Sequence, residues 1–326
     1  MTLIAANAAE LPELDAQTLR IVGAIDEYGS ITAAANALGY SQPAVSQHLR
    51  RAEQRLGLAL AERVGRSVRL TEAGLVLARH ARTITTAFDA AAGELAELSG
   101  LRAGRVRLVG FPTASSTLVP RLLRDLAREH PGLTVSYLED EPPEAVEAVR
   151  SGAVDVAITF SYEGDRVDPH RDSAQGLTVE TLWHDEMVLA LPADHPAAAH
   201  DPVPMELLAT ETWVAGCPRC RGHLLQVAEF AGFSPAIAYE TDNYSAVIGM
   251  VQAGIGVALV PSLALDSTRI PDDVVLRPTA RGDKRTIHVV TTEGAARVPA
   301  IGATLDAIRA LDLGRLSLEE AAVAAR

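Results

Sequence analysis

The sequence predicts a multidomain α/β protein: an N-terminal winged helix-turn-helix, a long linker helix, and a C-terminal α/β region. Three observations predict it. Short helical segments between residues 14 and 57 are punctuated by glycines and followed by an arginine-rich hairpin pattern. A proline-free stretch from Glu72 to Ser99 repeats apolar residues alternately four and three apart. From Arg105 onward, strand-like and helix-like runs alternate. The length of 326 residues supports two or three folded units, each able to bury a core.

Leu14, Leu19, Ile21, Val22 and Ile25 fall at helical spacing, so a first helix is expected from about Asp15 to Glu27, closing at Tyr28-Gly29-Ser30. A second, ITAAANAL, runs from Ile31 to Leu38 and stops at Gly39, because glycine accepts the left-handed conformation of a helix C-terminus. Ser41 caps a third helix, with Pro43 in the first turn, where a missing N–H costs nothing, and Gly57 ends it. Ala35, Gly39 and Val45 have helix-turn-helix spacing: a small residue for close approach, a glycine for the turn and an apolar residue to seal the angle. Gln42, Ser46, Gln47 and Arg50 line the third helix's exposed face, and glutamine and arginine are groove-reading side chains. LALAERVGRSVRLTEAG then reads as a hairpin wing with Arg63, Arg66 and Arg69 around Gly65.

The overall charge of −13 argues against nucleic acid, but charge is unevenly distributed. Between residues 41 and 71, six arginines (50, 51, 55, 63, 66 and 69) face two glutamates (53 and 62), a local net charge of +4. Leu77, Ala81, Ile84, Phe88, Ala91, Leu95 and Leu98 form a heptad seam whose simplest cover is a second copy of the same helix. Secretion and membrane insertion are not expected: no Lys or Arg precedes Arg20, and no apolar run is long enough to span a bilayer. A cytoplasmic protein is expected, without GxSxG, HExxH or phosphate-loop patterns to support an enzyme.

In the C-terminal region RVRLVGF, TVSYLED and VDVAITF are strand-like, with helices expected over Thr117 to Glu129 and Pro143 to Ser151. TVETLWHDEMVLALP, ETWVAG, AIAYETD, GIGVALVP and RTIHVVTTEG supply further strands, with helices near His223 to Ala231, Tyr244 to Gln252 and Val298 to Leu311. Residues 162 to 177 are polar and expected to form a loop.

The run AAANALGYSQPAVSQHLRRAEQRLGLALAERVGRSVRLTEAG closely resembles the DNA-binding segment of LysR-type transcriptional regulators. Two departures are Ala61, where the family usually has an aromatic residue, and Gln47, where many members carry arginine. The resemblance implies a sequence-specific regulator binding double-stranded DNA at an interrupted palindrome. Gln42, Pro43, Ser46 and Gln47 would lie nearest the bases, Thr32 and Arg50 near phosphates, and Arg63 and Arg66 on the wing, with Ser41, the cap of the docking helix, also among the DNA-binding residues. The remainder, with Gly152 and Asp155, LPADHP and QAGIGVALVP, is similar to the family's effector module, two α/β lobes like a type 2 periplasmic binding protein. The implied division is 14–71 for the DNA-binding domain, 72–100 for the linker, 104–160 with 267–311 for lobe I, 161–266 for lobe II and 312–326 for a tail. Partners would be DNA, a small-molecule effector and the chain itself, as homodimer or homotetramer; no cofactor, metal or membrane is expected.

Open α/β sheets bind ligands beyond the carboxyl ends of their strands, where helix N-termini offer free N–H groups. FPTASST and AGCPRCRGH open helices on opposite lobes and would favour a small anion. The candidate effector contacts are Thr113, Ser115, Ser116, Phe160, Cys217, Arg219, Arg221 and Asp242; ordinary capping by Ser and Thr is the plainer alternative. The CPRC motif leaves three readings open. Cys217 and Cys220 are a redox pair beside Arg219 and Arg221, a partial zinc site with His223, or structural or ligand-contact cysteines.

Overall fold

The fold is described from a computed structural model covering residues 14–64, 67–98, 104–164, 168, 170, 176–314 and 316–321. Helix α1 (Ala16–Tyr28) starts at Asp15, whose carboxylate accepts from the Thr18 N–H at 2.7 Å, and ends at Gly29. Helix α2 (Ile31–Leu38) is capped by Ser30 and ends at Gly39, where φ is +72° and a side chain would be strained. After that turn Ser41 caps α3 (Gln42–Leu56). Ile21, Val22 and Ile25 of α1, Ala34 and Ala35 of α2, and Val45, Leu49 and Ala52 of α3 close one small core. Strands β1 (Ala61–Val64) and β2 (Ser67–Leu70) form the antiparallel wing. Glu53 fastens the wing to α3, its Oε1 accepting from the N–H groups of Leu60 (2.8 Å) and Ala61 (3.2 Å).

Helix α4 (Glu72–Leu98) follows at once, so close to the wing that a Cβ on Gly74 would lie 2.1 Å from the Leu60 carbonyl oxygen. The expected heptad seam divides. Leu77 and Ala81 are buried in the helix-turn-helix core, whereas Ile84, Phe88, Ala91 and Leu95 are exposed; the Leu98 side chain lies outside the described residues.

Beyond it, β3 (Gly104–Gly110), α5 (Pro112–Glu129), β4 (Leu133–Glu139), α6 (Pro142–Ser151) and β5 (Val156–Tyr162) build the parallel pairings β4-β3-β5. Asp155 accepts from both the backbone N–H and the guanidinium of Arg107, locking β3 to the turn that precedes β5. The long strand β6 (Leu177–Pro192) is followed by β7 (Thr212–Ala215), α7 (Pro218–Phe230), β8 (Ala236–Glu240), α8 (Tyr244–Gln252), β9 (Val257–Pro261) and the short α9 (Ser262–Leu265). Then come β10 (Val274–Pro278), β11 (Lys284–Thr292), α10 (Pro299–Arg309) and β12 (Leu318–Glu320). The strand order is β4-β3-β5-β11-β6-β9-β7-β8, with β10 and β12 also pairing with β6.

These pairings divide the lobes differently from the expected 104–160 with 267–311 and 161–266. The first part of β6, residues 177–186, pairs with β11 in lobe I, and its last part, residues 187–192, pairs with β9 and β10 in lobe II. The chain therefore crosses inside β6 and returns between β10 and β11. One strand serves both sheets with no turn or loop between them, so the crossing leaves no turn signal in the sequence. The expected tail contains β12, which pairs with Trp183–Asp185 of β6. Helices α5 and α7 begin earlier than expected, at Pro112 and Pro218, since proline is favoured in a first helical turn. Most of the expected loop at 162–177 lies outside the described residues; Tyr162 itself ends β5 and Leu177 begins β6.

Candidate functional site

The expected DNA-reading residues gather at the start of α3. Gln42, Pro43 and Gln47 are exposed, as are Arg50 and, on α2, Thr32. Ser41 is committed to capping, accepting from the Ala44 N–H at 3.4 Å, and Gln42 Nε2 donates to Ser46 Oγ at 2.9 Å. That bond orders two polar side chains on one exposed face. The Arg63 side chain and all of Arg66 lie outside the described residues. The opposite side of α3 is anchored to α1: Asp15 accepts from Arg55 and from Thr18 Oγ1, with His48 Nε2 3.4 Å away. Burial works to raise the Asp15 pKa, and the Thr18 and Arg55 hydrogen bonds overcome it, holding the carboxyl at about 2. Asp15 and Arg55 are positioning residues that the sequence reading did not single out.

Between the lobes the centre is Arg285 of β11, which the sequence reading also missed. It is 1% exposed, and its Nε donates to Asp185 Oδ2 and its Nη2 to Thr113 Oγ1, both at 2.7 Å. Phe111 and Phe160 turn ring faces toward it, with centroids 5.0 and 4.7 Å from the guanidinium carbon. Burial acts to discharge it, but Asp185, Tyr162, Tyr244 and Cys220 outweigh burial and raise its pKa. Asp185 also accepts from the Leu263 N–H at 2.9 Å, so one carboxylate joins β6, β11 and α9.

The CPRC segment faces this centre from lobe II. Cys217 is the N-terminal cap of α7, its sulfur accepting from the Cys220 N–H at 3.4 Å. The two sulfurs are 3.0 Å apart, both thiols free and buried. Tyr162 of lobe I donates to Cys220 Sγ at 3.5 Å, and the Tyr244 hydroxyl lies 3.9 Å from it. The Cys217 thiol, donating to Cys220, pulls the Cys220 pKa below the ordinary thiol value against the effect of burial, with help from Arg285, Tyr162 and Tyr244. Cys217 is pushed up by the same bond and by its burial. Glu141, the residue before α6 in lobe I, closes the other side. The Cys217 thiol lies close enough to lower its pKa, while its buried Oε2 has no hydrogen-bond partner. Burial first, then Cys220 and Asp242, push it up to about 7.

The remaining expected contacts separate. Thr113, Phe160, Cys217 and Arg219 converge; the Arg219 guanidinium carbon is 5.6 Å from the Phe160 ring centroid. Asp242 is near enough to act on Glu141. Ser116 bridges the lobes through a 3.0 Å bond from Ser267. Ser115 instead meets the Tyr137 hydroxyl at 2.5 Å inside lobe I, and Arg221 pairs with Glu240 on the surface, so neither joins the cluster. His223 stacks on Tyr162 with centroids 4.0 Å apart, both its ring nitrogens buried without a hydrogen-bond partner. Among the described residues no group of three His, Cys, Asp or Glu is placed to hold a metal ion.

Two family models account for this architecture. The bacterial regulatory helix-turn-helix model of the lysR family matches residues 16–75, and the LysR substrate binding domain matches residues 99–312. The chain belongs to the LysR family. It is a DNA-binding transcriptional regulator with a substrate-binding domain. A probable hydrogen peroxide-inducible genes activator of Mycobacterium avium is 33% identical over 252 residues, covering 76% of this chain and 78% of that one. The LysR-type fold is shared with a full-length OxyR variant from Pseudomonas aeruginosa (TM-score 0.70, 23% identity, 92% of this chain and 96% of that one). It is also shared with full-length CbnR solved with its target DNA (TM-score 0.51, 22% identity, 91% and 99%). Among the described residues no helix of this LysR-type chain is long and apolar enough to cross a membrane.

Proposed function

We propose that this regulator alters its placement on an interrupted palindromic operator when a small anionic effector enters between its lobes. The observation that carries the reading is Arg285, a buried guanidinium with aromatic walls at the point where the first turns of α5 and α7 converge. Free N–H groups at helix starts and a fixed cation favour negative charge. Thr113, Ser116, Phe160, Cys217 and Arg219 are the proposed contacts, and the carboxyls of Glu141 and Asp242 favour a small monoanion over a polyanion. Gln42, Pro43, Ser46 and Gln47 are the proposed base readers, with Thr32, Arg50, Arg63 and Arg66 on phosphates. The exposed stripe Ile84, Phe88 and Leu95 of α4 supports a homodimer, the unit that would pair into a tetramer. Regulation rather than catalysis, in the bacterial cytosol, is supported by relatives named as transcriptional regulators.

The test is footprinting of the promoter beside its own gene, with and without a panel of small carboxylates, alongside thermal midpoints of the protein. One carboxylate that raises the midpoint should also shift the footprint. A footprint and midpoint unmoved by every member of the panel would end the effector reading.

A thiol-sensing reading has its own support. The Cys217 and Cys220 sulfurs stand 3.0 Å apart at a helix start, a short closure from a disulfide, and the Mycobacterium avium relative is named for peroxide-inducible genes.

A further inference from the structure

Glu141, Cys217 and Cys220 form a chain of three acidic atoms that crosses from lobe I to lobe II. Cys217 stands in the middle, beside the Glu141 carboxyl on one side and, on the other, 3.0 Å from Cys220 Sγ, to which its S–H is donated. Its single S–H can serve only one neighbour at a time. The groups around the chain are Arg285, Arg219, Asp185 and Asp242, with the Tyr162 and Tyr244 hydroxyls on Cys220. With Arg285 balanced by Asp185, and Arg219 set against Asp242, such a buried site tolerates one further negative charge and not two. The reduced chain therefore holds two protons and one charge. The donors crowd around Cys220, which places the charge there and a proton on Glu141, the side where Oε2 has no partner.

We propose that Glu141 is the proton donor to the Cys217–Cys220 dithiol, and that oxidation of this pair by a hydroperoxide moves the negative charge across to Glu141 and drives the lobes apart. The proposal rests on the thiol-sensing reading. The Cys220 thiolate attacks the peroxide oxygen, the O–O bond breaks, and a Cys220 sulfenic acid forms. The leaving alkoxide or hydroxide takes a proton that Glu141 supplies through Cys217. The Cys217 sulfur then displaces hydroxyl from Cys220, its own proton leaving as water, and the S–S bond closes. Two electrons have passed from the thiols to the peroxide, and the charge once on Cys220 now rests on Glu141. The disulfide has no S–H to offer, so Glu141 becomes a buried carboxylate that Cys217 cannot serve as a donor. Closed lobes disfavour that state, and water restores its hydrogen bonds only when they part.

The test oxidises full-length protein with hydrogen peroxide and compares it with Glu141→Gln. Thiol alkylation with mass measurement reports the disulfide, and hydrogen exchange of the segments spanning 139–146 and 215–224 reports the cleft. In the unaltered protein both segments should exchange at least about tenfold faster once the disulfide forms, the factor expected from stranding one buried carboxylate. A protonated-carboxyl infrared band should vanish on oxidation. Glu141→Gln should still form the disulfide, lack the band, and keep its exchange unchanged. If no disulfide forms in the unaltered protein, the thiol reading itself fails. If it forms while the band persists, or while Glu141→Gln opens as the unaltered protein does, the thiol reading stands and the role of Glu141 is overturned.

Discussion

Arg285 lies directly opposite Asp185 in the β11–β6 ladder, and its guanidinium donates to that carboxylate at 2.7 Å with both side chains at most 1% exposed. A pair this buried is expensive to half-remove, because the surviving charge has no water to solvate it. Arg285→Met should therefore destabilise the effector region by about 3–5 kcal/mol. The double change Arg285→Met with Asp185→Leu should recover most of that loss. Urea unfolding of the three proteins checks it; a double variant as weak as the single would show that something other than the stranded charge is responsible.

At the DNA end, Gln42 is exposed and tied to Ser46 at 2.9 Å, so its amide is presented in a fixed direction. Gln42→Ala should weaken binding to the cognate operator by about 1–3 kcal/mol and to random DNA far less. Fluorescence anisotropy titrations on both duplexes decide the matter. Equal losses would remove Gln42 from base reading.

Phe88 is 57% exposed halfway along α4, where a soluble monomer gains nothing from a large apolar ring. Phe88→Glu should shift the sedimentation profile from dimer to monomer while leaving the far-ultraviolet circular dichroism intact. A dimer that survives the change would place the contact elsewhere.

His288 and His223 are both buried, and burial is the leading cause that lowers each to about 4. His288 is bracketed by Ser161 at 2.8 Å and Thr181 at 3.2 Å, with the His170 ring 4.6 Å away. The unfolded chain takes up these protons near pH 6.5 and the folded chain only near 4. The stabilisation is therefore complete above about pH 6.5 and is lost as pH falls toward 4, by up to about 3 kcal/mol for each ring. The urea midpoint should fall across that window, and His288→Gln should flatten the fall. An equally steep profile in the variant would assign the dependence to other groups.

The helix-turn-helix was legible because its signals are local: Ser30, Ser41, Gly29, Gly39 and Gly57 cap or end helices within a few residues of where they stand. The interlobe centre was only half legible. Cys217, Cys220 and the FPTASST turn declare themselves by spacing, whereas Arg285 meets Asp185 and Thr113 across 100 and 172 residues and leaves no periodic trace. Helix geometry separates Arg219 from Arg221: about 200° apart, they cannot both face one cleft. Asp185 carries a second signal: it alternates with Trp183 and Met187 on the buried face of β6, where a charge asks for a partner.

Among the described residues two segments join the lobes, β6 and the connection from β10 to β11; Asp185 stands on the first and Arg285 just past the end of the second. Relative motion of the lobes is therefore torsion about an axle that runs through this ion pair, since a continuous hydrogen-bonded strand can twist but cannot slide past itself. An effector that touches the guanidinium grips the axle and not a distant rim, so a small change in angle there is delivered, undivided, to everything the two lobes carry.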